Sequence, residues 1–167
     1  MRNSAAIPAR IMDLPQLVNT VNALRVKGLT ISFTNGVFDI LHEGHIFSLS
    51  QAAAEADILV VAINSDASVK RLKGPSRPIN NQNSRALLMA SLVMVDAVII
   101  FEEDTPLEVV KAILPDVMVK GGDYTPEQIA GAKEVMANGG RVVINPLIEG
   151  LSTTQIIESI RESNIQS

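Results

Sequence analysis

The sequence predicts an α/β fold: a single domain built on a doubly wound, mostly parallel five-stranded sheet. Five short apolar, β-prone runs recur along the chain, and helical segments separate each from the next. Several of the runs are apolar at nearly every position, as strands buried on both faces are. Parallel neighbours need a crossover, and the crossover is normally a helix. The 167 residues, 47% of them apolar, suit one globular domain, with no internal repeat or linker.

Each element has its own local reason. Asp13 and Gln16 make a capping-box pattern, Leu14, Leu17, Val18, Val21 and Leu24 recur at helical spacing, and Gly28 offers a stop, which predicts a helix over 14–27. The first strand is read over 29–34, ended by a turn at Asn35-Gly36. An Ala-rich helix near 44–56 and a nearly continuous apolar strand over 57–63 follow, and the polar stretch 64–83 reads as a loop. Beyond it come a helix at 84–93, a strand at 97–101, a helix at 106–113 and a strand at 116–119. A helical region within 126–137, a strand at 141–144 and a closing helix over 152–161 complete the alternation.

Composition narrows the function. There is no cysteine, so thiolate chemistry and disulfides are excluded. No apolar run approaches the ~18 residues of a membrane span, and the N-terminus has no secretory pattern, so a cytoplasmic location without a membrane partner is expected. A net charge of -4, 3% aromatics and no tryptophan argue against nucleic acid as a partner.

In a parallel α/β sheet ligands bind beyond the carboxyl ends of the strands. The chain's two histidines, His42 and His45, lie there after the first strand, at a helix start where free N–H groups and the dipole favour phosphate. Two imidazoles three residues apart share one side and can donate to one anion, although an arbitrary pair at this spacing is more often a surface feature. The spacing H-E-G-H is not that of a zinc helix, and neither a Walker loop nor a dinucleotide fingerprint follows the first strand. Lys70, Arg71, Lys73, Arg77 and Arg85 concentrate positive charge on and beyond the loop after the second strand, as either a solvated loop or a phosphate-binding one. Lys120-Gly121-Gly122-Asp123 follows the fourth strand, where two glycines permit close approach to a ligand or simply make a turn. Ser152-Thr153-Thr154 after the fifth strand can cap the last helix and bind phosphate with the same N–H groups. Asp39 and Asp66 are sugar-hydroxyl or metal-side candidates.

The segment TNGVFDILHEGH resembles the first-strand motif of the HxGH nucleotidyltransferases, the cytidylyltransferase-like α/β enzymes. The resemblance continues through NSDASVKRLKGPSRPIN, MVKGGDYTPEQIAGAKEV and EGLSTTQIIESI, and is strongest to heptose 1-phosphate adenylyltransferase domains. It implies a Rossmann-like nucleotidyltransferase domain over 29–167, preceded by a one-helix extension over 1–28 with no fused sugar kinase. The implied reaction transfers AMP from ATP to D-glycero-D-manno-heptose 1-phosphate, with Mg²⁺ on the triphosphate, protein ligands for the metal unidentified, and a homodimer as the assembly. His42, His45, Lys70 and Lys73 take the catalytic roles. Thr34, Asn35, Gly36, Phe38, Lys120, Gly122, Asp123, Ser152, Thr153 and Thr154 take the nucleotide, and Asp39, Asp66, Arg77 and Arg85 the sugar phosphate. The pattern is departed from in two places: Gln155, Ile156 and Ile157 stand where related signatures carry a basic residue, and Val37 stands where heptose enzymes often have cysteine. Transfer of CMP to glycerol 3-phosphate or a related polyol phosphate is the nearest alternative, and a non-catalytic nucleotide-binding module is the alternative of another class.

Overall fold

In a computed structural model that describes residues 6–146 and 152–165, the chain alternates strand and helix as the apolar runs predict. The order is α1 (Leu14–Val26), β1 (Ile31–Gly36), α2 (Glu43–Ala53), β2 (Ile58–Asn64), α3 (Asp66–Lys73), α4 (Gln82–Ser91), β3 (Ala97–Phe101), α5 (Leu107–Ile113), β4 (Val117–Gly121), α6 (Ala132–Ala137), β5 (Arg141–Asn145) and α7 (Thr153–Ile165). All pairings among the five strands are parallel, in the spatial order β3-β2-β1-β4-β5. Progression runs outward from β1 through β2 to β3 and then restarts on the other side at β4, so the switch point lies between β1 and β4.

The sheet divides an aliphatic core in two. On one side Leu17, Val21, Phe33, Val110, Ile113 and Val135 pack between the strands and α1, α5 and α6. On the other, Leu49, Ala52, Val61, Ile63, Met89 and Val95 pack beneath α2 and α4. The N-terminal segment joins this core: Ile11 bridges to Val98, and Arg10 Nη1 donates to the carbonyls of Ala90 and Val95 at 3.2 and 2.8 Å, satisfying the end of α4.

Strand starts are pinned by one repeated device. Asp57, Asp96 and Asp116 precede β2, β3 and β4, and their carboxylates accept the backbone N–H of Thr30, Leu59 and Ile31 at the start of the neighbouring strand at 2.9, 2.9 and 2.8 Å. Each aspartate thereby sets the register of the opposite end, where the site forms. Asp57 and Asp116 thus lie just outside the strands, which begin one residue later than the sequence predicts.

Three further differences have physical causes. Asn35-Gly36 is no turn: it continues β1, paired with Ala62 and Ile63. Glycine is required at 36 because a Cβ there would lie 2.9 Å from the Phe38 ring. The stretch 64–83 contains α3, capped by Ser65 Oγ, which accepts the Ser68 N–H at 3.2 Å, and ended by Gly74 at φ 94°. Only Ser68 and Val69 of α3 are buried, so it lacks the apolar stripe that marks a helix in sequence. Finally, the helical region 126–137 splits into a 3₁₀ turn, Pro126–Gln128, and α6, because Gly131 turns at φ 94° against Val110.

Candidate active site

The carboxyl ends of β1 and β4 border a cleft of about 220 Å³, lined by Thr34 to Phe38, by His42, Gly44, His45 and Ser48 of the α2 start, and by Lys120, Gly121 and Pro146. Its geometry begins with the turn after β1. Phe38 adopts the left-handed conformation at φ 48°, which lays its ring over Gly36 and edge-on to His45, with centroids 5.2 Å apart. The imidazoles of His42 and His45 stack at 3.9 Å and 27°. His42 is the N-cap of α2, and no side chain satisfies that helix start, which leaves its N–H groups for an anion.

Three buried polar atoms lie at the carboxyl ends of β1 and β5 and at the α2 start, two of them on histidines that line the cleft. Nδ1 of His42, Nδ1 of His45 and Nδ2 of Asn145 are buried and have no hydrogen-bond partner among the described residues. Such groups are normally paired with protein, water or ligand, so these atoms are available to a polar partner at this end of the sheet. Burial, and then the neighbouring His42, push the His45 pKa down from 6.5 to about 4, opposed by a backbone contact at Ile40. His45 is therefore a neutral donor at neutral pH, and a bound phosphate would raise its affinity for a proton.

Lys120 closes one wall. Its ammonium donates to Asn35 Oδ1 at 3.2 Å and lies 5.9 Å from the Tyr124 ring centroid, and burial holds its pKa below the usual lysine value. Gly122, at φ 117°, donates to the Asn145 carbonyl at 3.0 Å, tying the segment after β4 to the end of β5. Asp123 is exposed beside it. At the start of α7, Ser152 Oγ accepts the Gln155 N–H at 3.2 Å as a cap, and Thr153 Oγ1 donates to the Ile40 carbonyl at 3.3 Å. A second helix start thus adjoins the loop that carries the histidines. Residues 147–151, in which part of the base-recognition expectation falls, lie outside the described residues.

The basic residues do not act as one loop. Lys70 and Lys73 belong to α3, and neither lines the histidine cleft. Lys73 instead joins Arg77, Thr154, Glu158 and Arg161 along a neighbouring groove, so α7 does present a basic residue, four residues beyond Ile157. Arg85 is wholly buried and cannot reach substrate in this arrangement. Its guanidinium donates to the Asn80 carbonyl at 3.0 Å, the Val37 carbonyl at 2.7 Å and Asp66 Oδ1 at 2.8 Å. Asp39 is likewise enclosed. Its carboxylate accepts from Arg77 Nε at 2.7 Å and from the N–H groups of Ile79 and Asn80 at 2.8 Å, and these bonds hold its pKa below the ordinary value against the opposing effect of burial. Asp39, Asp66 and Arg85 form a frame that fixes the histidine loop to α3 and α4, and of the three only Asp66 keeps an exposed side-chain edge. Sequence reasoning missed Ser48, Arg161 and the segment directly after β3, although that segment follows a strand end and so carried a positional signal.

Stacked imidazoles, an uncapped helix start and a half-buried lysine at the switch point of a parallel sheet place a ligand-binding cleft where the doubly wound α/β class of protein carries it. The sequence matches the cytidylyltransferase-like family over residues 33–166, and the chain belongs to that family. A bifunctional protein HldE of Hyphomonas neptunium is 56% identical over 149 residues, 89% of this chain and 31% of the relative. That of Mesorhizobium japonicum is 51% identical over 90% of this chain and 30% of the relative. The chain therefore spans about a third of the length of these relatives. Among solved structures, the lipopolysaccharide core biosynthesis protein of Thermoplasma volcanium superposes with a TM-score of 0.58 at 32% identity, covering 72% of this chain and 98% of that one. A pantoate-beta-alanine ligase of Francisella tularensis shares the fold, with a TM-score of 0.57 at 17% identity over 87% of this chain and 74% of that one.

Proposed function

We propose that the chain transfers AMP from ATP to D-glycero-D-manno-heptose 1-phosphate, releasing pyrophosphate and forming ADP-heptose. The stacked His42–His45 pair over an uncapped helix start carries the reading. The identity to HldE proteins across nearly the whole chain supports the heptose assignment, and so does the resemblance of the motifs to heptose 1-phosphate adenylyltransferase domains. On this reading the protein serves lipopolysaccharide biosynthesis in the cytoplasm, in keeping with the absence of a helix long and apolar enough to cross a membrane among the described residues.

An oxygen of the sugar 1-phosphate attacks the α-phosphorus of ATP, the new O–P bond forms, and the bond to the oxygen bridging to the β-phosphorus breaks as pyrophosphate leaves. The attacking phosphate is mostly dianionic near pH 7, with a second pKa of about 6, so no general base is needed. The protein's part is placement and charge stabilisation. His42, His45 and the α2 N–H groups take the charge that grows on the α-phosphate, while Lys120 offers a half-buried ammonium beside it. The β- and γ-phosphates lead toward the α7 start and the groove of Lys73, Arg77 and Arg161. Among the described residues no group of three imidazoles and carboxylates converges to hold a metal, and Asp39 is already fully engaged. Mg²⁺, as the family resemblance implies, would come bound to the triphosphate and would neutralise charge on its phosphates. The adenine is read by backbone groups of the segments after β4 and β5.

A homodimer fits the exposed apolar side chains on α2 and α4, which cover the same sheet face and leave Ile46, Phe47, Leu87 and Leu88 open to solvent. Light scattering on the purified chain reads the assembly directly. The activity is tested by pyrophosphate release from ATP, CTP, GTP and UTP against heptose, hexose and glycerol phosphates. With heptose 1-phosphate, ATP is expected to exceed CTP and GTP in kcat/KM by at least ~10²-fold, because a site built on hydrogen bonds to one base rejects another. Equal or better turnover with CTP would overturn the adenylyl assignment.

A further inference from the structure

A second cavity, of about 190 Å³, shares Asn35 and Lys120 with the histidine cleft. The histidine cleft opens on the α2 side of the sheet, whereas this one lies on the α5 side, bounded by Pro106 at the α5 start and by Ile129, which belongs to the core under α5 and α6. The Asn35–Lys120 hydrogen bond is the saddle between them. We propose that this cavity holds the sugar ring of the acceptor, and that Asp104, Thr105 and Gln128 select it by binding its hydroxyl groups. The proposal rests on the sugar 1-phosphate reading above and adds where that substrate lies.

Hydrogen-bonding groups distinguish the two compartments. Arg71 already pairs with one oxygen of the Asp104 carboxylate, and the other oxygen can accept bonds from vicinal hydroxyls, so the ring end of a sugar phosphate fits here while its phosphate stays at Lys120, within reach of the histidine cleft. The hydroxyl-binding groups are held in place. Arg71 Nε donates to Asp104 Oδ1 at 2.8 Å, and its Nη2 donates to the Glu102 carbonyl at 2.6 Å, while Ser68 Oγ donates to the Glu103 carbonyl at 2.8 Å, so α3 fixes the segment after β3. Gln128 Oε1 accepts the Thr125 N–H at 2.9 Å, which orients the amide and leaves its NH₂ as a donor. Pro106 and Ile129 supply the apolar floor against which a sugar's C–H face packs. With the ring on this side, the nucleoside is left the β5 side of the histidine cleft, next to Pro146.

The test combines steady-state kinetics with calorimetric binding of heptose 1-phosphate in the presence of a non-hydrolysable ATP analogue, for wild type, Thr105→Val and Gln128→Ala. Each variant is expected to raise KM and Kd for heptose 1-phosphate at least tenfold while KM for ATP moves less than twofold. Wild-type turnover with both variants unchanged overturns the pocket assignment and leaves the adenylyl-transfer reading standing. A rise in KM for ATP alone overturns it in favour of a base site. A wild type that neither binds nor turns over any sugar 1-phosphate overturns both.

Discussion

Arg85→Met separates a framework arginine from a substrate-binding one. The side chain is wholly buried and its three hydrogen bonds reach the loop before α4, the carbonyl of Val37 and the N-terminal carboxylate of α3. Methionine keeps much of the apolar stem, so the cavity cost is small. The polar cost is larger: two carbonyls lose a charged donor and Asp66 loses its partner. Removing one member of a buried pair costs about 3–5 kcal/mol, and because the Asp66 side chain keeps 32% of its exposure, the lower end, about 3 kcal/mol, is the working figure. In a domain of this size that lowers Tm by roughly 6–12 °C. Activity should fall as well, because the Val37 carbonyl immediately precedes the left-handed Phe38 that seats His45. Urea and thermal unfolding followed by circular dichroism read the first effect, and kcat with KM for each substrate reads the second. An unchanged Tm together with a raised KM for one phosphate substrate would refute the framework role and return Arg85 to the substrate.

The histidines should behave oppositely: His42→Ala and His45→Ala each lower kcat by about 10²-fold or more with little loss of stability, checked by single-turnover kinetics beside an unfolding curve. Because His45 titrates near 4 in the folded chain against 6.5 when free, the unfolded state takes up its proton first as pH falls. Stability should then be full above pH 6.5 and decline toward pH 4 by up to about 3 kcal/mol, with a shallower decline in His45→Gln, measured by urea midpoints across that range. Lys73→Ala should weaken ATP binding and reduce its salt dependence whereas Lys70→Ala should not, since only Lys73 lines the groove beside α7, and titrations at low and high salt distinguish them.

The sheet was legible because buried parallel strands have a signature in composition alone: β2 and β3 read as apolar runs, and β3 coincides with its expected limits, Ala97–Phe101. The capping box at Asp13 and Gln16 also forms as spelled, with bonds of 2.9 and 3.1 Å. What the sequence concealed depends on tertiary partners. Asn35-Gly36 has a turn's composition, yet its glycine serves the Phe38 ring. Nothing local distinguishes Arg85, which is buried, from Arg77, whose side chain keeps 14% exposure at the groove. The histidine pair was legible because a motif at a strand end carries position as well as chemistry. Asp104 and Thr105 occupy a comparable strand end, and without a distinctive residue type they were passed over.

The central claim, that the α-phosphate of ATP is attacked in the His42–His45 cleft, is tested most directly with ATP labelled at the α-phosphate and heptose 1-phosphate as acceptor. The account predicts that wild type places the label in a nucleoside diphosphate sugar, with unlabelled pyrophosphate released in equal amount, and that a His42→Ala, His45→Ala double variant that still folds does not. Label retained in ADP, or transfer undiminished in the double variant, would contradict it.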